Sequence, residues 1–192
     1  MVDLVGLHKH FIMEHLREGD VAVDFTMGNG NDTLFLSKAV GESGRVFAFD
    51  IQEDALASTR EHLVANGATE NYTLICASHH RVKEFVNEPI KAGMFNLGYL
   101  PRSGRKAVTT MRQTTMPAVE AALELLAPDG VLIVAIYPGH EEGALEGEML
   151  REYFAGLSKY RICPSEFKIL NSPTSPYFFL VEKSPKAKFG EI

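Results

Sequence analysis

Short apolar runs bounded by turn residues alternate with helix-like segments along the whole chain. Such runs are typical of buried strands, and apolar positions spaced by three and four residues are typical of helices. The pattern predicts strands at 21–25, 45–50, 72–77, 93–97, 131–137, 160–170 and 177–181. It predicts helices at 4–16, 33–40, 53–66, 82–86, 114–126 and 143–157.

This alternation indicates an α/β fold. Strands that are separated by helices require right-handed crossovers, so the sheet should be mainly parallel with helices on both faces. No helix separates the last two strands, which predicts an antiparallel hairpin at one edge of a seven-stranded sheet. We find no repeat or long linker, so residues 1–192 should form a single domain with a loose tail at 183–192.

Composition and charge exclude several classes of protein. The chain has 192 residues, is 45% hydrophobic and 23% charged, and carries a net charge of −6, so it is not a generally basic nucleic-acid-coating protein. Two cysteines, Cys76 and Cys163, cannot form a disulfide framework or a zinc site of four cysteines. No apolar stretch has the roughly 18 residues of a membrane span, and no signal-peptide core opens the chain. A soluble, cytoplasmic protein without a membrane partner is therefore expected.

A glycine-containing loop follows the first predicted strand and leads into a helix. Gly28 and Gly30 allow a tight turn and let a ligand lie against bare backbone. Asp50 ends the second strand, and an ionised carboxylate there can accept hydrogen bonds from both hydroxyls of a ribose. A nucleoside-bearing cofactor is therefore expected across these strand ends; the alternative is a plain strand-to-helix turn.

Two cofactors fit this pattern, and the acids of the loop favour S-adenosylmethionine (SAM) over NAD. Thr33 occupies the position of the third glycine in a dinucleotide fingerprint, whereas Asp24 and Asp32 suit a cationic ammonium and sulfonium. Ser78 and His79, after the third strand, should line the same pocket, although Ser78 could instead cap a helix. The predicted cofactor-binding residues are Asp24, Met27, Gly28, Asn29, Gly30, Asn31, Asp32, Thr33, Asp50, Gln52, Ser78 and His79.

A second motif, Asn96-Leu97-Gly98-Tyr99-Leu100-Pro101, follows the fourth strand. It resembles the Asn-Pro-Pro-Tyr loop of amino-methyltransferases, whose asparagine side chain and backbone carbonyl accept hydrogen bonds from the target amine. Accepting those bonds orients the nitrogen lone pair towards the methyl carbon, which is catalysis by positioning. The alternative interpretation is a turn with a buried tyrosine.

Four ordered motifs together carry a family resemblance. They are Thr-Met-Gly-Asn-Gly at 26–30, Asp-Thr at 32–33, Asn-Leu-Gly-Tyr-Leu-Pro at 96–101 and Tyr-Pro-Gly-His at 137–140. Over residues 1–182 the chain resembles a bacterial, Rossmann-like class I methyltransferase family whose members were long labelled rRNA-methylase-like. The resemblance implies SAM as cofactor and methylation of the 5-aminomethyl group of wobble (2-thio)uridine in the tRNA anticodon. An rRNA base or small-molecule methyltransferase is the alternative, and a cofactor-binding or RNA-binding module without chemistry is a third hypothesis.

The chain departs from the family pattern at two places. The motif after the fourth strand continues as Arg-Ser-Gly-Arg-Lys at 102–106, where the family usually has Gly-Gly-Asp-Lys, and Asn31 replaces a usual histidine. The first departure concerns the substrate side, and it makes that segment more basic. The second lies in the cofactor loop, where asparagine can still form hydrogen bonds.

The implied reaction requires an unprotonated amine. An alkylamine has a pKa near that of lysine, about 10.4, so its proton must be lost before attack. Asn96 should hold the amine, Tyr99 and His140 are the candidate proton acceptors, and no metal is required.

A locally basic segment could contact RNA despite the acidic whole. No acid lies between Glu88 and Glu120, and five cations do. A solvated loop is the alternative interpretation. The predicted substrate-binding residues are Leu100, Pro101, Arg102, Arg105, Lys106 and Arg112. The sequence does not decide the oligomeric state, and a homodimer stays open.

Overall fold

The computed structural model describes residues 3–98, 110–139 and 141–192. The α-helices are α1 (Leu4–His15), α2 (Asn31–Val40), α3 (Glu53–Ala65), α4 (Arg112–Leu125) and α5 (Glu141–Ala155). The strands are β1 (Val21–Asp24), β2 (Arg45–Asp50), β3 (Tyr72–Cys76), β4 (Ile90–Leu97), β5 (Leu126–Ile136), β6 (Ile162–Phe167) and β7 (Tyr177–Lys183). The predicted order of helices and strands is confirmed.

The strands form one seven-stranded sheet in the order β3-β2-β1-β4-β5-β7-β6. β1 to β5 all run parallel to one another, and β7 runs antiparallel to both β5 and β6. The predicted α/β fold and the terminal antiparallel hairpin are therefore confirmed, with β7 inserted between β5 and the edge strand β6. The chain leaves β1 for β2 on one side and β4 lies on the other, so the carboxyl ends of β1 and β4 flank a topological switch point.

Each face of the sheet is covered by its own helices. On one face α1 and α2 contribute Ile12 and Leu36 to a buried cluster with Met94 of β4. On the other face α4 and α5 pack Val119 and Phe154 into a second cluster. Because both faces are buried, the central strands read as nearly continuous apolar runs.

Several element boundaries differ from those predicted. β4 begins at Ile90 and β5 at Leu126, because Ile90 pairs with Leu126 before a register shift and the main ladder. The turn residues at 128–130 therefore interrupt the pairing and do not precede the strand. The predicted helix at 82–86 is a short 3-10 helix at His79–Glu84.

The prediction of a loose tail at 183–192 was wrong. Lys183 is the last residue of β7 and is 1% exposed, and its Nζ donates to the carbonyl of Leu123 at 3.3 Å. The backbone N–H of Gly190 donates to the carbonyl of Glu124 at 3.2 Å. These contacts satisfy carbonyls at the end of α4, which gives the tail a fixed place.

Over the described ranges, no helix is long and apolar enough to cross a membrane.

Candidate cofactor and active site

The carboxyl ends of β1 to β4 meet at one edge of the sheet and surround a cavity of about 350 Å³. Residues from each strand end and from the start of α4 line it. They are Phe25, Thr26, Gly28, Phe49, Asp50, Ile51, Gln52, Ala77, Ser78, His79, His80, Asn96, Gly98, Thr110, Met111 and Thr114. This is the position at which open α/β sheets bind ligands.

The loop after β1 contains two glycines in the left-handed region, and one of them is packed too tightly for a side chain. Gly28 and Gly30 have φ values of 51° and 80°, in the left-handed region. A Cβ on Gly30 would lie 2.9 Å from Cγ2 and 3.0 Å from Cα of Thr59 on α3. Thr59 Oγ1 also donates to the carbonyl of Gly28 at 3.0 Å. The loop therefore rests directly on α3; both glycines suit its left-handed conformation, and Gly30 is also needed for the close approach to Thr59.

Asp50 presents a fixed carboxylate to the cavity. Its Oδ2 accepts the N–H of Gly28 at 3.2 Å, and its Oδ1 accepts the N–H of Gln52 at 3.0 Å. Partial burial raises its pKa, and the backbone hydrogen bonds act in the opposite direction. Each carboxylate oxygen has two lone-pair directions, so both oxygens can accept a further hydrogen bond from a ligand.

Asp24 lies beneath the loop and does not line the cavity. It is fully buried, and its Oδ2 accepts from Thr33 Oγ1 at 2.7 Å while its Oδ1 accepts the N–H of Thr26 at 3.1 Å. Burial, together with the charge of Asp32, raises the pKa of Asp24 to about 7. Asp24 thus joins the start of the loop to the start of α2.

The remaining predicted loop residues surround the glycines without lining the cavity. Met27 and Thr33 are buried, Asn29 accepts a hydrogen bond from Ser58 Oγ at 3.3 Å, and Asn31 is the exposed first residue of α2. The predicted cofactor residues that the structure brings together at the cavity are Gly28, Asp50, Gln52, Ser78 and His79.

His79 offers an unpaired ring nitrogen at the cavity wall. The side chain is 7% exposed and packs edge-on against Phe95, with 5.7 Å between ring centroids. Burial lowers its pKa to about 4, so the ring is neutral near pH 7. Its Nε2 has no hydrogen-bond partner among the described residues, and such a buried group is costly unless a ligand or water completes it.

Ser78 forms a side-chain contact other than the one expected of a helix cap. It occupies the N-cap position of the 3-10 helix but makes no capping hydrogen bond with its side chain. Its Oγ instead lies 2.8 Å from Nδ1 of His80. The side chain of Ser78 therefore does not cap this helix.

Three hydrogen bonds with described residues hold Asn96 at the end of β4. Its backbone N–H donates to Thr26 Oγ1 at 2.7 Å, and its Nδ2 donates to Asp32 Oδ2 at 2.8 Å. Tyr137 Oη donates to its Oδ1 at 3.5 Å. The other oxygen of Asp32 pairs with Lys9 Nζ at 3.1 Å. A carboxylate only accepts hydrogen bonds, so the amide end that faces Asp32 must be the NH2 group.

Sequence reasoning assigned no role to several residues of this region, among them two apolar and two polar ones. Ile51 and Met111 are apolar, 56% and 44% exposed, and both line the cavity. Tyr137 and Lys9 contact the polar groups around Asn96. A large apolar residue directly after the strand-end acid was a usable signal for Ile51, whereas no local pattern connects α1 with Asn96.

Several predicted residues lie outside the described part of the chain. They are Tyr99, Leu100, Pro101, Arg102, Arg105, Lys106 and His140. Arg112 is described, and its Nε pairs with Glu142 Oε1 at 3.1 Å. Gly98 and Thr110 are joined by a backbone hydrogen bond of 3.0 Å, and Thr110 Oγ1 donates to Glu146 at 2.7 Å. Among the side chains that the structure describes, no three His, Cys, Asp or Glu are grouped as a metal site requires.

The chain is similar to known methyltransferases in sequence. The family model described as "Putative rRNA methylase" matches residues 46–183. A chloroplastic tRNA (mnm(5)s(2)U34)-methyltransferase of Arabidopsis thaliana is 36% identical over 185 residues, spanning 91% of this chain and 67% of that protein.

Two solved structures share both fold and sequence similarity with the chain. A "putative rRNA-methylase" of Clostridium thermocellum superposes with a TM-score of 0.91 at 38% identity, covering 95% of this chain and 98% of its own. A "putative methyltransferase" of Streptococcus mutans, solved in complex with S-adenosylhomocysteine (SAH), gives 0.86 at 35% identity, covering 95% and 99%.

Proposed function

The chain belongs to this rRNA-methylase family, and from that premise we propose that it methylates the 5-aminomethyl group of the wobble uridine in tRNA. Members of this family transfer a methyl group from SAM, and this chain shares that activity. The proposal of an amine substrate rests on the Asn96 amide, whose oxygen is an acceptor beside the cavity. The similarity to a tRNA wobble-uridine methyltransferase supports the choice of substrate.

The cavity residues fit a nucleoside-bearing methyl donor. Asp50 would accept hydrogen bonds from the ribose hydroxyls, because backbone N–H groups already hold its carboxylate in place. Ile51 and Met111 offer apolar surface for the adenine ring. The unpaired Nε2 of neutral His79 would complete its hydrogen bonding against a polar group of the ligand. When bound, the donor supplies an electrophilic methyl group on a sulfonium.

The described residues would prepare the amine for attack. The substrate must be the free amine, and desolvation against the apolar part of the cavity lining would act against its ammonium form. Asn96 Oδ1 would accept an N–H of that amine and direct the nitrogen lone pair towards the methyl carbon. The nitrogen would then form the new N–C bond as the C–S bond of the donor breaks, and the extra proton would leave the product amine. Tyr99 and His140 stay our candidates for accepting the proton that the ammonium form must lose before attack.

A transfer assay tests the proposal. We expect methyl transfer to tRNA that carries the aminomethyl precursor and none to tRNA lacking it, to rRNA or to free amines. Transfer to rRNA alone would contradict the wobble substrate and leave SAM chemistry intact. SAH binding without transfer to any acceptor would support a binding module.

A variant pair tests the role of Asn96. We expect Asn96→Ala to lower kcat at least about 100-fold, because the amine loses its positioning acceptor. The dissociation constant for SAH, measured by calorimetry, should stay within about threefold. Asn66→Ala is the matched control, since the hydrogen bonds of Asn66 to described residues all lie within its own helix end. An unchanged kcat in Asn96→Ala would place the amine elsewhere.

A further inference from the structure

Asp32 lies in the first turn of α2, and protein groups use both of its carboxylate oxygens. Oδ1 pairs with Lys9 Nζ of α1 at 3.1 Å, and Oδ2 accepts from Asn96 Nδ2 at 2.8 Å. Lys9 in turn lies over the ring of Phe35, 5.1 Å from its centroid. Asp32 does not line the cavity, and its side chain is only 14% exposed. The structure therefore turns this acid towards α1 and β4.

This arrangement decides which end of the Asn96 amide faces Asp32 and which end lies on the side of Tyr137. An amide can rotate by half a turn with little change in shape, so its two orientations are separated mainly by their hydrogen bonds. A hydrogen bond to an ionised carboxylate is roughly twice as strong as one between neutral groups. In the orientation seen, Asp32 holds the NH2 end, and Oδ1 lies on the side of Tyr137 Oη. The reversed orientation would set oxygen against carboxylate.

We propose that Asp32, held by Lys9, is a positioning residue that keeps Asn96 Oδ1 directed towards the target amine. This inference rests on the proposed function, in which Asn96 holds that amine. It gives Asp32 a role other than the cofactor contact that the sequence suggested. It also gives α1, which precedes the first strand, a part in the reaction.

Asp32→Asn tests the role directly. The substitution keeps the size of the side chain but lets either end of the Asn96 amide face it. We expect kcat to fall about 10- to 100-fold, while the dissociation constant for SAH changes less than about threefold. Asp20→Asn is the matched control, because Asp20 accepts the N–H of Arg17 in the turn before β1, at the opposite end of the strand. A loss of SAH affinity above tenfold would overturn the proposal in favour of a direct cofactor contact.

A double-mutant cycle separates action through Asn96 from a general structural effect. In an Asn96→Ala background, Asp32→Asn should have no further effect on kcat, because the group it orients is gone. Additive losses would overturn the proposal. Lys9→Met should lower kcat several-fold. Lys9→Arg should retain most of the wild-type kcat, since arginine keeps the cation.

A spectroscopic readout keeps the inference testable even if the substrate is another molecule. The side-chain NH2 signals of Asn96, assigned by their absence in Asn96→Ala, should be protected from exchange in the wild type. They should move and lose protection in Asp32→Asn. Unchanged signals would overturn the role of Asp32 whatever the assay gives. Failure of Asn96→Ala to affect transfer would instead count against the proposed function.

Discussion

The strands β1 and β2 lie side by side and each ends in an aspartate, yet the two strand ends differ. Asp24 is fully buried and takes its hydrogen bonds from Thr33 and Thr26, within the loop that follows it. Asp50 lines the cavity, and the backbone N–H groups of Gly28 and Gln52 donate hydrogen bonds to its carboxylate. The end of β1 is closed by its own chain, whereas the end of β2 is open to a ligand.

This difference shows that burial, more than residue type or strand position, decides what a strand-end acid does. A buried carboxylate is stable only if its environment supplies hydrogen bonds or a proton, so Asp24 serves the loop. A half-buried carboxylate keeps free lone pairs, so Asp50 can serve a ligand.

The largest expected effect concerns pH and Asp24. Its pKa is about 7 in the folded protein and near 3.8 in an unfolded chain, so the folded state holds an extra proton between these values. Asp24 therefore costs stability increasingly as pH rises from about 4 to 7, by on the order of 4 kcal/mol in total. Relative to Asp24→Asn, the wild type should lose free energy of unfolding over this window, as measured by urea unfolding. Relative to Asp50→Asn, the wild type should also lose free energy of unfolding as pH rises, but with a shallower slope. Equal slopes for the two sites would contradict the difference in burial between Asp24 and Asp50.

Asp50→Ala should produce the next largest effect, on ligand affinity. Removing a fixed carboxylate that accepts two ribose hydroxyls should weaken SAH binding about 100-fold, or roughly 2.7 kcal/mol. Calorimetry measures this directly. Asp50→Asn keeps one acceptor oxygen and should give an intermediate loss. Normal SAH binding by Asp50→Ala would contradict the assignment of the open strand end.

Gly30→Ala tests the close packing of the loop after β1. Both the left-handed φ of 80° and the contact with Thr59 oppose a side chain, so we expect a loss of about 2–3 kcal/mol in the free energy of unfolding. Gly67→Ala is the control, because Gly67 has a φ of 62° but no atom within 4 Å of the point where a Cβ would lie. It should lose only about 1 kcal/mol. Similar losses of unfolding free energy in both variants would mean that the loop after β1 can shift to accommodate a Cβ at position 30.

Ile51→Ala should have the smallest effect and should change binding alone. Loss of apolar surface against the adenine ring should weaken SAH binding about fivefold, or roughly 1 kcal/mol, with little change in stability. Val64→Ala is the matched control, since Val64 is similarly exposed on α3 but does not line the cavity. A loss of stability without a change in affinity would place Ile51 outside the ligand site.

Much of the fold could be predicted because it depends on local pattern. Alternating apolar runs and helices predict the element order, and the missing helix before 177 predicts the terminal hairpin. The start of β5 could not be found locally, because its first residue pairs with Ile90, far away in sequence. The packed tail was missed for the same reason, since the partners of Lys183 and Gly190 lie at the end of α4.

The sequence by itself determined where the candidate site lies, because parallel strands bring their carboxyl ends to one edge of the sheet. That rule places Gly28, Asp50 and Asn96 together without any knowledge of packing. Only the tertiary structure decided what each acid does there. Asp24 is buried, Asp50 faces the cavity and Asp32 joins Lys9 to Asn96, because burial and partners depend on contacts between distant segments.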